Sequence, residues 1–172
     1  KMDYICQALN NLGYDVDIIS ASATRDSKRC YRGKYININD HTRLKLFFTF
    51  PWGNKAQKLL SLCYMRWCVF YELMKLSKHE KVIVYHSLGY MNVVALAHRL
   101  KKFQLILEVE EIYSDVINDE KKKKQELNFF SQADSYIFPT KLLSQVANPY
   151  NKNKIIIHGT YQVEPNRFVK KF

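Results

Sequence analysis

The residues LILEVEEIYSD, Leu105 to Asp115, decide how this chain is read. Leu105, Ile106, Leu107 and Val109 are what a strand covered on both faces needs, whereas Glu108, Glu110, Glu111 and Asp115 cannot all be buried without partners. The stretch therefore predicts a buried strand that ends at a surface able to hold charge. Ligands of open α/β sheets collect beyond the carboxyl ends of the strands, so acids at that place are site candidates by position. The plain alternative is that they cap the next helix or pair with lysines.

Working outward, the segments on either side alternate between helical and extended patterns. Met2, Ile5, Leu9 and Leu12 repeat at steps of three and four before Gly13, which predicts a helix, and VDIIS (16–20) predicts a short strand. Residues 21–33, with Arg25, Lys28, Arg29 and Arg32, read as a basic solvated loop. YINI (35–38) and LKLFFTF (44–50) read as two strands around a turn at Asn39, Asp40 and His41. Asn54 is placed to cap a long helix to about Ser77, whose apolar residues are too many for one face. That helix packs on more than one side, or presents Trp67, Phe70 and Tyr71 to a membrane or partner.

VIVY (82–85) is a β-branched run expected at the centre of a sheet, followed by the loop His86–Gly89. A helix is expected over 90–101, with Val93, Val94, Leu96, Ala97 and Leu100 inward, and then the strand 104–109. Residues 119–132 suit a helix whose KKKK run (121–124) is a wet face. A strand at 136–138, a short helix at 142–146 and a strand at 155–157 complete the pattern, and 160–172 reads as a linker or tail. The expected fold is α/β: a three-layer, Rossmann-like, mostly parallel sheet with helices on both faces. Such a fold opens with a strand, and here the first element is a helix, so the first strand is expected from upstream residues, a swap or a partner.

The totals bound the function. A chain of 172 residues, 47% hydrophobic, suits one domain with a sizeable core. Its formal net charge of +11 points to an anionic partner such as phosphate, nucleic acid or an acidic membrane. The basic residues are scattered without a recognition helix or aromatic RNP strand, which argues against nucleic acid. Cys6, Cys30, Cys63 and Cys68 have neither CxxC nor zinc spacing, and Cys6 and Cys63 read as small hydrophobes on apolar helical faces in a reducing compartment. No signal peptide or spanning helix is evident, so a cytoplasmic protein is expected, with contact at the inner face of a membrane as its variant. Strand two ends in Ser20, Ala21 and Ser22 without the acid of a dinucleotide site, and neither a P-loop nor a GxSxG elbow occurs.

Five phrases carry a resemblance: KMDYICQALNNLGYDVDIISAS, VIVYHSLGY, LILEVEEIYSD, ADSYIFPT and NKIIIHGTYQVEP. Together they resemble the amino-terminal half of family 4 glycosyltransferases, particularly those that build bacterial capsular and exopolysaccharides. The resemblance implies a GT-B enzyme whose amino-terminal lobe, residues 1–159, binds a saccharide or lipid-linked saccharide acceptor. A carboxy-terminal lobe binding a nucleotide sugar would follow the linker, and the chain alone, lacking the donor-side glutamates, would be inactive. Neither a metal nor a cofactor is expected in this half. The acceptor-binding candidates are His86, Ser87, Glu110, Glu111, Thr140 and His158, all just beyond strands; in such proteins a histidine or acid after the 105–109 strand contacts the reacting sugar. Each has a plain reading too: His86 and His158 as satisfied polar residues, Thr140 as a helix cap. Two other functions stand beside this one: a non-catalytic basic α/β subunit completing a separate donor chain, and a nucleic-acid-binding module.

Overall fold

A computed structural model describes residues 2–21 and 28–158. The expected tail 160–172 and the part of the basic loop that holds Arg25 lie outside them. In chain order the elements are α1 (Met2–Asn11), β1 (Val16–Ser20), β2 (Lys34–Asn39), β3 (Thr42–Leu46), α2 (Lys55–Met74), β4 (Lys81–Tyr85), α3 (Met91–Lys101), β5 (Gln104–Glu108), α4 (Tyr113–Val116), α5 (Glu120–Phe130), β6 (Ser135–Phe138), α6 (Lys141–Ala147) and β7 (Asn153–Ile156). The fold is mixed α/β, as the alternation of periods predicts.

The strands form two sheets, in the orders β1-β3-β2 and β4-β5-β6-β7. The second sheet is parallel throughout, and its registers put Tyr85 opposite Glu108, Glu108 opposite Ile137, and Phe138 opposite Ile156. Parallel pairing with aligned ends brings the carboxyl ends of four strands to one edge. The first sheet is mixed: β1 runs parallel to β3, and β2 and β3 form an antiparallel hairpin. β3 stops at Leu46 rather than running to 50, although Thr49 still makes an isolated bridge to Tyr31.

Local chemistry explains the boundaries. Gly13, at φ +83°, ends α1 in the left-handed region that glycine adopts without strain. Asn10 then fastens the end of α1 to the hairpin: its Nδ2 donates to the Tyr14 carbonyl at 3.0 Å, and its Oδ1 accepts from Thr42 Oγ1 at 2.7 Å. Asn54 caps α2 through a capping box with Gln57, and Asp119 caps α5.

The core lies around β5 and β6, where Phe103, Leu105, Leu107, Tyr136 and Phe138 meet Val94 and Ala97 of α3 and Phe129 and Phe130 of α5. Each fully buried large apolar side chain contributes about 1.5–3 kcal/mol. Tyr136 Oη donates to the Phe130 carbonyl at 2.6 Å, and burial pushes its phenol up to about 12.

Several expectations are corrected by this packing. Leu96 and Leu100 are exposed, because α3 turns only Met91, Val94 and Ala97 fully inward. Cys63 is exposed, unlike the buried Cys6. On α2 the buried side is Ser61, Met65 and Leu73, while Leu60, Trp67 and Tyr71 stand exposed on the opposite side. VIVY is expected at the centre of a sheet; among the described residues β4 instead pairs with β5 alone, and Val82, Ile83 and Val84 are half-buried. Among the described residues β1 likewise pairs with β3 alone.

The two sheets are nevertheless held side by side. At the carboxyl ends Tyr90 Oη, in the loop after β4, donates to the Ala21 carbonyl at 2.7 Å. At the amino ends Lys81 Nζ lies 5.4 Å from the ring centroid of Tyr14. Between them, Lys45 of β3 meets Glu72 of α2 at 2.7 Å, both largely buried. Burial opposes ionisation of Glu72, but Lys45 and Lys75 outweigh it and hold the carboxyl below its usual range.

Candidate functional site

The edge formed by the carboxyl ends of β4, β5, β6 and β7 is the candidate site. The chain leaving β4, β5 and β7 is tied to a neighbouring strand: His86 N donates to Glu108 O at 3.0 Å, Val109 N to Ile137 O at 3.0 Å, and Ile157 N back to Phe138 O at 2.8 Å. All six candidates lie on this edge, on the loops that follow β4 to β7. They differ in what their side chains face.

Glu111 and His158 are exposed; Ser87 and Glu110 are half-buried. Thr140 is exposed and also caps α6, its Oγ1 accepting from Leu143 N at 3.2 Å. Tyr85 stands at the same edge, where burial raises its phenol pKa and the neighbouring Tyr113 and Glu110 raise it further. This is a surface of carboxylates and phenols, groups that can accept and donate hydrogen bonds to hydroxyls. Arg66 of α2 reaches the loop after β4, donating from Nε to the Gly89 carbonyl at 3.1 Å.

His86 is different, being 1% exposed. Its Nε2 lies 2.6 Å from Oε1 of Glu126, itself fully buried on α5. The ring packs edge-on to Phe130, with centroids 4.7 Å apart, and lies against Phe129 and Tyr113. Glu126 also accepts from Tyr113 N and Ser114 N, each at 2.9 Å. One carboxylate thus anchors the loops after β4 and β5 to α5. Burial lowers the His86 pKa against the opposing pull of Glu126, so the imidazole is neutral at neutral pH. A neutral ring facing a carboxylate that accepts two backbone N–H groups donates from Nε2.

Reading the sequence missed Glu126. The signal was present in its spacing: Glu126, Phe129 and Phe130 fall at i, i+3 and i+4, which places a carboxylate on the apolar side of α5. Glu108, expected at a charged strand end, is itself fully buried.

No group of three or more His, Cys, Asp or Glu side chains able to hold a metal occurs among the described residues. A concavity of about 550 Å³ lies at the far end of β5, lined by Lys78, His98, Arg99 and Lys102 among others. Most of its cations belong to the last turn of α3 and its cap, where they offset the negative end of the helix dipole. No helix of the described residues is long and apolar enough to cross a membrane. No family model matches the sequence, and no curated protein matches it.

Proposed function

We propose that this chain is the acceptor-binding lobe of a GT-B glycosyltransferase of the family 4 type, acting in polysaccharide biosynthesis. The observation that carries the reading is the convergence of polar side chains from four adjacent parallel strands on one edge of the sheet. In this reading the fold is a three-layer Rossmann-like domain whose first strand lies outside the described residues.

The reaction needs an acceptor hydroxyl held against the anomeric carbon of a nucleotide sugar. The hydroxyl oxygen forms the new glycosidic bond, the bond to the diphosphate breaks, and the hydroxyl proton passes to a base. Glu110 and Glu111 are the acids placed to receive hydroxyl hydrogens, and Ser87, Thr140 and His158 extend the polar edge along the sheet. The nucleotide sugar and the cations that stabilise its diphosphate belong to a carboxy-terminal donor lobe. Leu60, Trp67 and Tyr71 on the outer side of α2, together with the net charge of +11, support contact with an anionic bilayer that carries a lipid-linked acceptor. That contact would lie at the cytoplasmic face.

The test is to incubate the intact protein with a panel of labelled nucleotide sugars and follow transfer and hydrolysis. Transfer to a saccharide or polyprenyl-linked saccharide is expected, weakened in Glu110→Gln and Glu111→Gln variants that remain folded. Absence of both transfer and hydrolysis with every donor removes the reading.

A further inference from the structure

The hollow of about 550 Å³ at the amino ends of β4, β5 and β6 lies at the opposite end of the sheet from the proposed acceptor edge. A five-residue strand spans roughly 17 Å, so one small ligand does not reach both ends. The lining comes from three segments: Lys78 from the loop before β4, Arg99 and Lys102 from the end of α3, and Asp134 from the loop before β6. Gln104 and the half-buried His98 add further polar groups. The volume falls within the range of small-molecule sites, about 300–1,000 Å³.

The fold does not explain the charge gathered there. Asp134 is already engaged, its Oδ2 accepting from Leu105 N at 2.7 Å and lying 3.3 Å from His98 Nε2. Lys78, Arg99 and Lys102 are exposed, and among the described residues none of them makes an ion pair or a side-chain hydrogen bond. Elsewhere cations sit against acids, as Lys45 and Lys75 do with Glu72 and Lys123 with Asp115. The negative end of a helix dipole is equivalent to roughly half an elementary charge. Lys101, in the last turn of α3 but outside the hollow, exceeds that by itself. Lys78 is not on α3 at all, so three cations remain in one concavity against one occupied carboxylate.

Lys102 is also held in an uncommon backbone conformation. It ends α3 at φ +56°, in the left-handed region where Gly13 ends α1. A side chain is under strain there that glycine avoids. A lysine at such a place is explained if its ammonium group has work in the hollow.

We infer that this hollow binds a small phosphate-bearing molecule, with Arg99 taking two phosphate oxygens through its guanidinium fork and Lys78 and Lys102 meeting the remaining charge. The fork matches a phosphate in a way that a point charge does not, and the lysines supply attraction without fixed geometry. Three cations around one hollow suit the several charges of a phosphate ester or diphosphate better than the single charge of a carboxylate. Free diphosphate and the diphosphate of a nucleotide present the same chemistry, and the experiment separates them. The inference stands apart from sugar transfer.

Titration of the full chain with sodium diphosphate and, separately, with adenosine diphosphate, followed by amide NMR at about 0.1 M salt, tests it. Saturable shifts centred on Lys78 and on 98–104 are expected, weakening as salt is raised. Arg99→Gln should weaken binding roughly tenfold, the loss of a charge-assisted contact. Lys102→Gly should also weaken it while keeping the fold, because glycine accepts that backbone conformation. Lys121→Gln, which removes one charge from the KKKK run, should leave binding unchanged. Tighter binding of adenosine diphosphate assigns the rest of the hollow to a nucleoside; binding no tighter than that of diphosphate assigns an inorganic anion. Shifts spread evenly over the lysine-rich surface, or equal weakening by Lys121→Gln and Lys102→Gly, would mean general charge attraction and overturn the site. So would the lack of any saturable shift with both ligands.

Discussion

Nε2 of His86 lies 2.6 Å from Oε1 of Glu126, and both side chains are shut away from solvent. Removing one member of a buried, hydrogen-bonded pair leaves the other without compensation. Glu126→Ala should therefore cost about 3–5 kcal/mol, with Tyr113 N and Ser114 N also losing their acceptor. Urea unfolding measures it. Glu120→Ala, at an exposed position on the same helix, should stay within about 0.5 kcal/mol of the parent, so an equal loss in both would contradict the anchoring role.

Acid should weaken the fold through the same imidazole. Burial lowers the His86 pKa from its ordinary 6.5, with Glu126 opposing. Below that value the unfolded chain binds the proton more readily than the folded one, so this contribution to stability is intact above pH 6.5 and lost as pH falls toward the folded pKa. The urea midpoint should be lower at about pH 5.5 than at about pH 7.5, and His86→Gln should reduce that difference. A midpoint that rises on acidification would contradict the assignment.

Thr140 can be separated into its two roles. Its Oγ1 accepts from Leu143 N at 3.2 Å, so Thr140→Ala should lose about 1 kcal/mol of stability, which Thr140→Asp should restore. If Thr140 also touches the acceptor, Thr140→Asp will keep the stability and raise the acceptor KM. Unfolding and kinetics on the same two variants read the two effects independently.

Glu111 is exposed and should matter to ligand rather than fold. Glu111→Gln is expected to leave stability within about 0.5 kcal/mol and to raise the acceptor KM roughly tenfold, the loss of one charge-assisted hydrogen bond. A stability loss well beyond that range would mean the carboxylate serves the structure instead.

The alternation of periods was legible over most of the described residues, although β3 lies at 42–46 rather than 44–50 and α4 had no expected counterpart. VDIIS, VIVY, LILEV and SYIF are strands at or within a residue of their expected positions because β-branched and aromatic runs between polar loops have few other stable forms. What local pattern could not supply was pairing. Whether VIVY is central depends on a strand far away in sequence, and among the described residues β4 lies at an edge. The six site candidates were legible as strand-end residues, but the burial of His86 was not, because it depends on Glu126, 40 residues later. The inward positions of α3 were misjudged for a related reason: Leu96 and Leu100 are apolar, yet the helix packs on the side that carries Val94 and Ala97.

Within the second sheet β5, β6 and β7 each pair with the strand made just before, across a crossover of one or two helices. Such an order lets the sheet grow in step with synthesis, each new strand finding its neighbour already in place on the emerging chain. β1 has no such convenience: it pairs with β3 and must wait for the hairpin to be translated. A stalled ribosome that has released the chain through β6 should therefore already display a three-stranded parallel platform, protected from protease while α6 and β7 are still in the tunnel.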